Sequence, residues 1–129
     1  MNWAFHYRAV ARVLSWIGIV AIIILSVVPA KERPDTDAAE WFGAWNGHLL
    51  EHVAAFAPVA AAFAIGYHRV SLKRLLLLAL LFCGGIELLQ VPLPTRHATV
   101  RDFVIDLVGS WFAIAIIVAG EMVLAKSHR

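Results

Sequence analysis

Residues 84–109 read GGIELLQVPLPTRHATVRDFVIDLVG, a run that places charged side chains between two strongly apolar segments. The first segment is predicted to be a helix that stops at Pro92 and Pro94, because proline has no amide hydrogen to donate inside a helix. Only a few residues then remain before the second apolar segment begins. The stretch therefore predicts two helices that meet at one end through a short, stiff return.

The composition of the chain indicates a membrane protein. Of its 129 residues, 61% are hydrophobic and 16% are charged, whereas soluble domains are about 45–50% apolar. The length predicts one domain over residues 1–129, without room for a separate catalytic module. The single cysteine, Cys83, lies in an apolar run, where we expect it to pack inside a helix.

Four segments are long and apolar enough to be transmembrane helices, which need roughly 20 residues. They are predicted at residues 10–29, 49–67, 75–93 and 103–125. The predicted fold is therefore all-α, an integral membrane bundle of four transmembrane helices. The first segment also resembles a secretory signal that ends near Pro29. We favour its retention, because its apolar stretch is longer than that of most signals.

The positions of Lys and Arg near the span ends predict the orientation of the chain. With a cytoplasmic N-terminus, the inner side carries Arg8, Arg12, Arg69, Lys73, Arg74, Lys126 and Arg129. The outer side carries Lys31, Arg33, Arg96 and Arg101. This excess predicts that both termini are cytoplasmic. Because the basic residues flank apolar runs and form no stripe with interleaved aromatics, we expect no nucleic-acid partner.

The loop after the first span is predicted to hold a short helix on the outer leaflet. Asp37 and Glu40 have the spacing of an acidic capping box. Trp41, Phe42 and Trp45 follow, and aromatic residues of this kind favour the membrane–water interface. An amphipathic helix lying in that interface would satisfy both features.

The third and fourth spans each carry two polar residues on one face. Glu87 and Gln90 are three residues apart, and Asp102 and Asp106 are four apart, so each pair shares a helical face. Counted along the third span, Glu87 lies within the hydrocarbon layer. A carboxylate at that depth needs a proton or a partner, because an unpaired charge in hydrocarbon is costly.

Two arginines are predicted to supply that partner. Arg96, in the return, is within reach of both helix ends, and its planar guanidinium can bridge two carboxylates. Arg101 precedes Asp102 at the start of the fourth span, where negative charge favours the helix dipole. The predicted pocket therefore contains His52, Glu87, Gln90, Arg96, Arg101, Asp102 and Asp106. The alternative is a structural ion-pair network without chemistry.

His48 and His52 lie four residues apart, a spacing that places both rings on one helical face. Two zinc ligands need such a spacing, and with Glu51 the residues match H-x-x-E-H, the inverted zinc-protease signature. A third ligand has no defined position in the sequence, so we predict no metal and no other cofactor. A His48–His52 metal pair and an incidental interfacial histidine remain alternatives to a structural or proton-handling His52.

Taken together, these positions resemble the VanZ-like family of small bacterial membrane proteins, from about residue 20 to 115. The matching positions are Leu25, Ser26, Pro29, His52, Phe56, the E-L-L-Q run from Glu87 to Gln90, Arg96, Asp102 and Gly109. Two positions depart from the family pattern. His48-Leu49 replaces an Asp-Lys pair, and Asp106 stands where the family usually has Asn.

The resemblance implies a multi-pass protein of the bacterial plasma membrane with an outer-facing pocket. The first-described family member is linked to resistance to the glycopeptide teicoplanin, which implies a role in the cell envelope. The leading hypothesis is therefore binding of an amphiphilic or anionic envelope ligand, such as a lipid-linked cell-wall precursor or a glycopeptide. Arg96, Arg101 and the carboxylates would contact this ligand.

Three other functions remain open. In a membrane-embedded hydrolase or transferase, Glu87 would carry a proton, His52 would act as a base and Arg96 would stabilise an oxyanion. No Ser or Cys nucleophile is predicted beside them. Proton-coupled transport would require several copies of so short a chain, and an oligomer is one of the open partner states. The last alternative is a structural polar network in a small membrane assembly factor.

Overall fold

Four α-helices make up the fold. The structure, a computed structural model, describes residues 3–29, 32, 38–94 and 98–127. The helices are α1 (Trp3–Val27), α2 (Ala38–Gly66), α3 (Leu72–Gln90) and α4 (Val100–Ser127). The predicted all-α fold with four helices is confirmed over these ranges.

Three stretches of the described residues are long and apolar enough to cross a membrane. They are His6–Val27 in α1, Gly47–Gly66 in α2 and Val100–Ser127 in α4. Helix α3 falls short of the same standard, because its 19 residues include Lys73, Arg74 and Glu87. Length and composition therefore support three of the four predicted spans.

The boundaries of the helices differ from those of the predicted spans. Helix α1 begins at Trp3 and ends at Val27, whereas the predicted span covered residues 10–29. Helix α3 ends at Gln90, three residues before the predicted end at residue 93. Hydropathy locates the apolar part of a helix, but the polar first turns and the proline-containing turns at its ends follow from hydrogen bonding.

The surface of the bundle is apolar and part of its interior is polar. Large apolar side chains point outward, with Leu81 63% exposed and Phe112 68% exposed. Ser15, Asp106 and Ser110 are buried instead. Soluble monomers rarely expose contiguous apolar surface on this scale. The distribution is that of a protein surrounded by lipid.

The four helices follow the order α1, α2, α4, α3 around the bundle. Helix α2 packs most extensively against α4 and α1, and α3 packs mainly against α4. Successive helices are antiparallel, so α2 and α4 run side by side in the same direction. The core between the four helices contains Ile22, Phe56, Cys83, Ile86 and Leu107, with a second cluster of Ala64, Leu75 and Ile114.

A break at Gly43 divides α2 into a short first part and a long second part. Gly43 has φ 80° and ψ 151°, a backbone conformation open to glycine and strained for other residues. The residues of the predicted interfacial helix fall around this break and are helical on both sides of it. Asp37, its predicted cap, lies outside the described residues.

Helices α1 and α2 approach closely at the end of the bundle opposite the polar residues. Arg12 Nε donates a hydrogen bond to the Gly66 carbonyl oxygen at 2.9 Å. A methyl group added at Gly66 would lie 2.7 Å from Arg12 Cγ and 3.0 Å from the Arg12 backbone nitrogen. Only a residue without a side chain allows this approach. We call this end of the bundle, which also carries Lys73, Arg74 and Lys126, the basic end.

Candidate functional site

Two histidine–aspartate pairs join α2 to α4 at the other end of the bundle, which we call the polar end. His48 Nε2 donates to Asp102 Oδ1 and His52 Nδ1 donates to Asp106 Oδ1, both at 2.8 Å. The two partners are 54 residues apart in both pairs. This equal separation shows that α2 and α4 run parallel where they meet. We refer to these two pairs as the His–Asp ladder.

The two rungs of the His–Asp ladder differ in burial. Asp106 is 1% exposed and its partner His52 is 23% exposed. Asp102 and His48 are 14% and 39% exposed. The ring of Phe56 lies parallel to that of His52, with 6.5 Å between ring centres and 4° between ring planes. The His52–Asp106 pair, with its buried carboxylate, is therefore the inner rung, and the more exposed His48–Asp102 pair is the outer rung.

The return between α3 and α4 is attached to Glu87. The Thr99 backbone amide donates to Glu87 Oε2 at 2.8 Å, and Thr99 Oγ1 accepts a hydrogen bond from the Asp102 amide at 3.0 Å. Thr99 thus caps the N-terminus of α4. In a capping box, the acid at the third helical position bonds back to the cap residue's amide. Here Glu87 accepts from that amide, so the Asp102 carboxylate can bind His48.

Gln90 links the end of α3 to the end of α1. Its Nε2 donates a long hydrogen bond, 3.4 Å, to the Ser26 carbonyl oxygen. Ser26 is buried, and its hydroxyl donates to the Ile23 carbonyl oxygen at 2.8 Å. All four helices therefore contribute polar groups to the polar end.

The structure brings five of the seven predicted pocket residues to the polar end. They are His52, Glu87, Gln90, Asp102 and Asp106. Arg101 is exposed in the first turn of α4, and Arg96 lies outside the described residues. The described partner of Glu87 is a backbone amide, so a bridging role for Arg96 stays a prediction.

His48 and Thr99 bind pocket residues at the polar end, although neither was among the predicted pocket residues. His48 was considered only as half of a metal pair, yet it binds Asp102. Thr99 was not considered, although the run from Thr99 to Asp102 is a T-x-x-D capping sequence that identifies it. Capping patterns would therefore have indicated how the return is held.

An apolar cavity of about 240 Å³ lies between the four helices. Residues from all four helices line it, among them Trp16, Phe56, Phe63, Leu75, Phe82 and Ser110. Phe56 and Ser110 each follow a residue of the inner rung by one helical turn. This cavity, the apolar cleft, is therefore lined by residues one turn beyond His52 and Asp106.

Three side chains of the polar end are arranged as metal ligands could be. One ligand atom each from His48, His52 and Asp102 lies within 4.8 Å of the other two. The His48 and His52 ring centres are 4.5 Å apart. This group includes the pair identified from the sequence and adds a carboxylate from α4.

The helices and the apolar surface define a multi-pass membrane protein. The sequence profile of the VanZ/LLP1 family matches residues 4–124, nearly the whole chain. The chain therefore belongs to the VanZ/LLP1 family, and the predicted resemblance is confirmed. No curated protein and no solved structure shows significant similarity to it.

Proposed function

We propose that this protein binds an amphiphilic molecule of the cell envelope, with the headgroup at the polar end and the chain in the apolar cleft. The observation that carries this proposal is that one side chain, Phe56, belongs to both surfaces. His52 bears the polar contacts, and Phe56, one turn later, both stacks on its ring and lines the cleft. A ligand with a polar and an apolar part matches such a site.

We infer that the polar end faces outward and that α3 is a fourth span. Lys73 and Arg74 lie in the first turn of α3 and Lys126 lies in the last turn of α4, which supports a cytoplasmic basic end. The residues around Gly43 would then form the interfacial helix of the outer leaflet. Residues 1–129 would act as one domain of the bacterial plasma membrane.

A second candidate function, hydrolysis or transfer on a lipid-linked substrate, is favoured by the inner rung. A histidine held by a buried carboxylate is the arrangement that general bases use, because the carboxylate fixes the ring and stabilises its protonated form. His52 and Asp106 have this geometry. Glu87, half-buried beside the return, would carry a proton in such a reaction.

The proposal is tested by filling the apolar cleft. The full chain, purified in mild detergent, would be irradiated with a photoactivatable polyprenyl phosphate. Ala79 lines the cleft, so Ala79→Phe should reduce cross-linking at least fivefold. Ala115→Phe makes the same change at an exposed position of α4 and should leave cross-linking unchanged. Equal labelling of both variants would contradict chain binding in the cleft.

The headgroup side of the site is tested with Glu87→Gln and Arg96→Ala. Arg96→Ala removes a cation that would meet the headgroup, and Glu87→Gln weakens the acceptor that holds the Thr99 amide at the start of α4. Both should therefore weaken cross-linking and, in a teicoplanin-susceptible bacterium, remove any resistance that the wild-type protein confers. Release of a water-soluble product from the same lipid would favour the enzyme. Wild-type binding and resistance in both variants, with normal insertion, would favour a structural network.

A further inference from the structure

His48, His52 and Asp102 lie together at the polar end, where α2 packs against α4. Two imidazoles and one carboxylate form a ligand set suited to zinc and other divalent transition metals. His48 and His52 come from adjacent turns of α2, and Asp102 comes from the first turn of α4. The sequence alone offered a pair, whereas the packing of α2 against α4 supplies the third ligand.

The inner rung holds His52 as metal-binding histidines are held. Such a histidine usually donates its second ring N–H to a carboxylate, which fixes the ring and makes the other nitrogen a better ligand. His52 Nδ1 donates to Asp106, which is 1% exposed. With that bond in place, Nε2 is the nitrogen available to a cation.

The charge and exposure of the polar end also favour a cation. Glu87, Asp102 and Asp106 all act electrostatically on His52, and carboxylates in a low-dielectric environment attract a positive ion strongly. His48 is 39% exposed, so an ion could reach the outer rung from the aqueous side without unfolding the bundle.

We propose that His48, His52 and Asp102 bind a divalent transition-metal cation of the zinc type, with Asp106 as the positioning residue for His52. The cation would replace the hydrogen bond between His48 and Asp102, and the proton of a ligating imidazole nitrogen would pass to water. Three protein ligands leave a fourth coordination position open. If the proposed headgroup binding holds, that position offers an attachment point for an anionic oxygen at an end otherwise rich in carboxylates. Metal binding itself does not depend on that function.

The experiment measures zinc binding to the full chain, purified in detergent without a histidine tag and treated with a chelator that is then removed. We expect one zinc ion per chain by elemental analysis after dialysis, and an affinity measurable by calorimetry. Replacement of zinc by Co²⁺ should give visible absorption bands typical of nitrogen and oxygen ligation. Mg²⁺ should compete poorly, because it prefers an all-oxygen octahedral site.

Variants separate the proposed ligands from other zinc-binding side chains. Asp106→Asn should weaken zinc binding about 10–100-fold, as losses of outer partners do, and His52→Gln and His48→Gln should weaken it further. His6→Gln, at an exposed position of α1, and Ala79→Phe should leave zinc binding unchanged. Loss of lipid cross-linking in Ala79→Phe with zinc binding intact would keep the two proposals distinct.

Two results would overturn the metal site. The first is wild-type zinc affinity equal to that of the folded His48→Gln, His52→Gln double variant. The second, decisive even if a variant failed to fold, is a cobalt spectrum of the wild-type protein without imidazole ligation. Zinc bound equally by every variant, including His6→Gln, would indicate adventitious surface binding only.

Discussion

At the scale of single residues, the two rungs of the His–Asp ladder contribute differently to the stability of the protein. The carboxylate of Asp106 is shielded from water, so its hydrogen bond from His52 has no aqueous substitute. Asp102 remains partly accessible to water, which can replace the contact with His48. Loss of a hydrogen-bond partner is costly mainly where water cannot take its place.

This difference predicts unequal effects of removing the two histidines. His52→Ala should lower the free energy of unfolding by about 2–3 kcal/mol, because it leaves a buried carboxylate without a donor. His48→Ala should lower it by less than about 1 kcal/mol, the usual range for an exposed pair. Unfolding by SDS in mixed micelles, followed by circular dichroism, measures both.

A double variant provides the control for this prediction. Asp106→Leu in the His52→Ala background removes the orphaned carboxylate and should restore part of the lost stability. Equal losses for the two single variants would show that the rungs are equally solvated, contrary to the structure.

The sequence identified most residues of the polar end but not their pairing. His52, Glu87 and Asp106 can be identified as candidate site residues from the sequence, because ionisable side chains inside a membrane carry a high free-energy cost. Pairing depends on which helices are neighbours, and periodicity within a helix does not contain that information. The sequence therefore could not show that His52 binds Asp106, or that Glu87 binds the Thr99 amide.

At the scale of helices, the His–Asp ladder fixes the register of α2 against α4. A slip of one helical turn would bring His52 to Asp102 and leave Asp106 unpaired in the interior. Apolar helix faces tolerate such slips better, since one aliphatic contact replaces another. Buried polar pairs are best known for this function of specifying register.

The contact between α1 and α2 gives a second prediction. Gly66→Ala should destabilise the protein by about 1–3 kcal/mol, the range for overpacking, because the added methyl group would press on the Arg12 backbone. Gly85→Ala, in α3, meets nothing within 4 Å. It should be neutral or stabilising by up to about 1 kcal/mol, since alanine favours helix. The same SDS unfolding assay compares the two.

A loss in Gly85→Ala as large as that in Gly66→Ala would contradict the close approach at the basic end. In the sequence, Gly66 continues a run of small residues spaced by four, with Ala54, Pro58 and Ala62 before it, a pattern typical of close helix packing. The sequence could not show that Gly66 meets Arg12, because the position of α1 around α2 depends on the packing of the whole bundle.

At the scale of the whole molecule, the arrangement of polar and apolar groups is the reverse of that in a soluble domain. Apolar composition predicted this, because lipid rather than water surrounds the outer surface. Four helices also followed from the four apolar segments. The order α1, α2, α4, α3 did not, because short connections permit several arrangements of antiparallel helices.

The proposed orientation predicts the sides from which two loops can be labelled. Ser71 lies just before α3 and Ala98 lies in the return after it, and both are exposed. Ala98→Cys should react with a membrane-impermeant maleimide in intact cells, whereas Ser71→Cys should react only after permeabilisation. Wild-type protein is the control, since its Cys83 is 1% exposed and should stay unlabelled. Labelling of both loops from one side would show that α3 does not cross.

The separation of the His–Asp ladder between α2 and α4 has a consequence for synthesis at the ribosome. The 54 residues between partners correspond to about 3–11 s of translation at 5–20 residues per second. The histidines are therefore synthesised first and have no aspartate partner until α4 follows. A neutral imidazole is tolerated in the membrane more easily than a carboxylate. When the aspartates emerge, their partners are already in place, so the costly charges spend the shortest time alone.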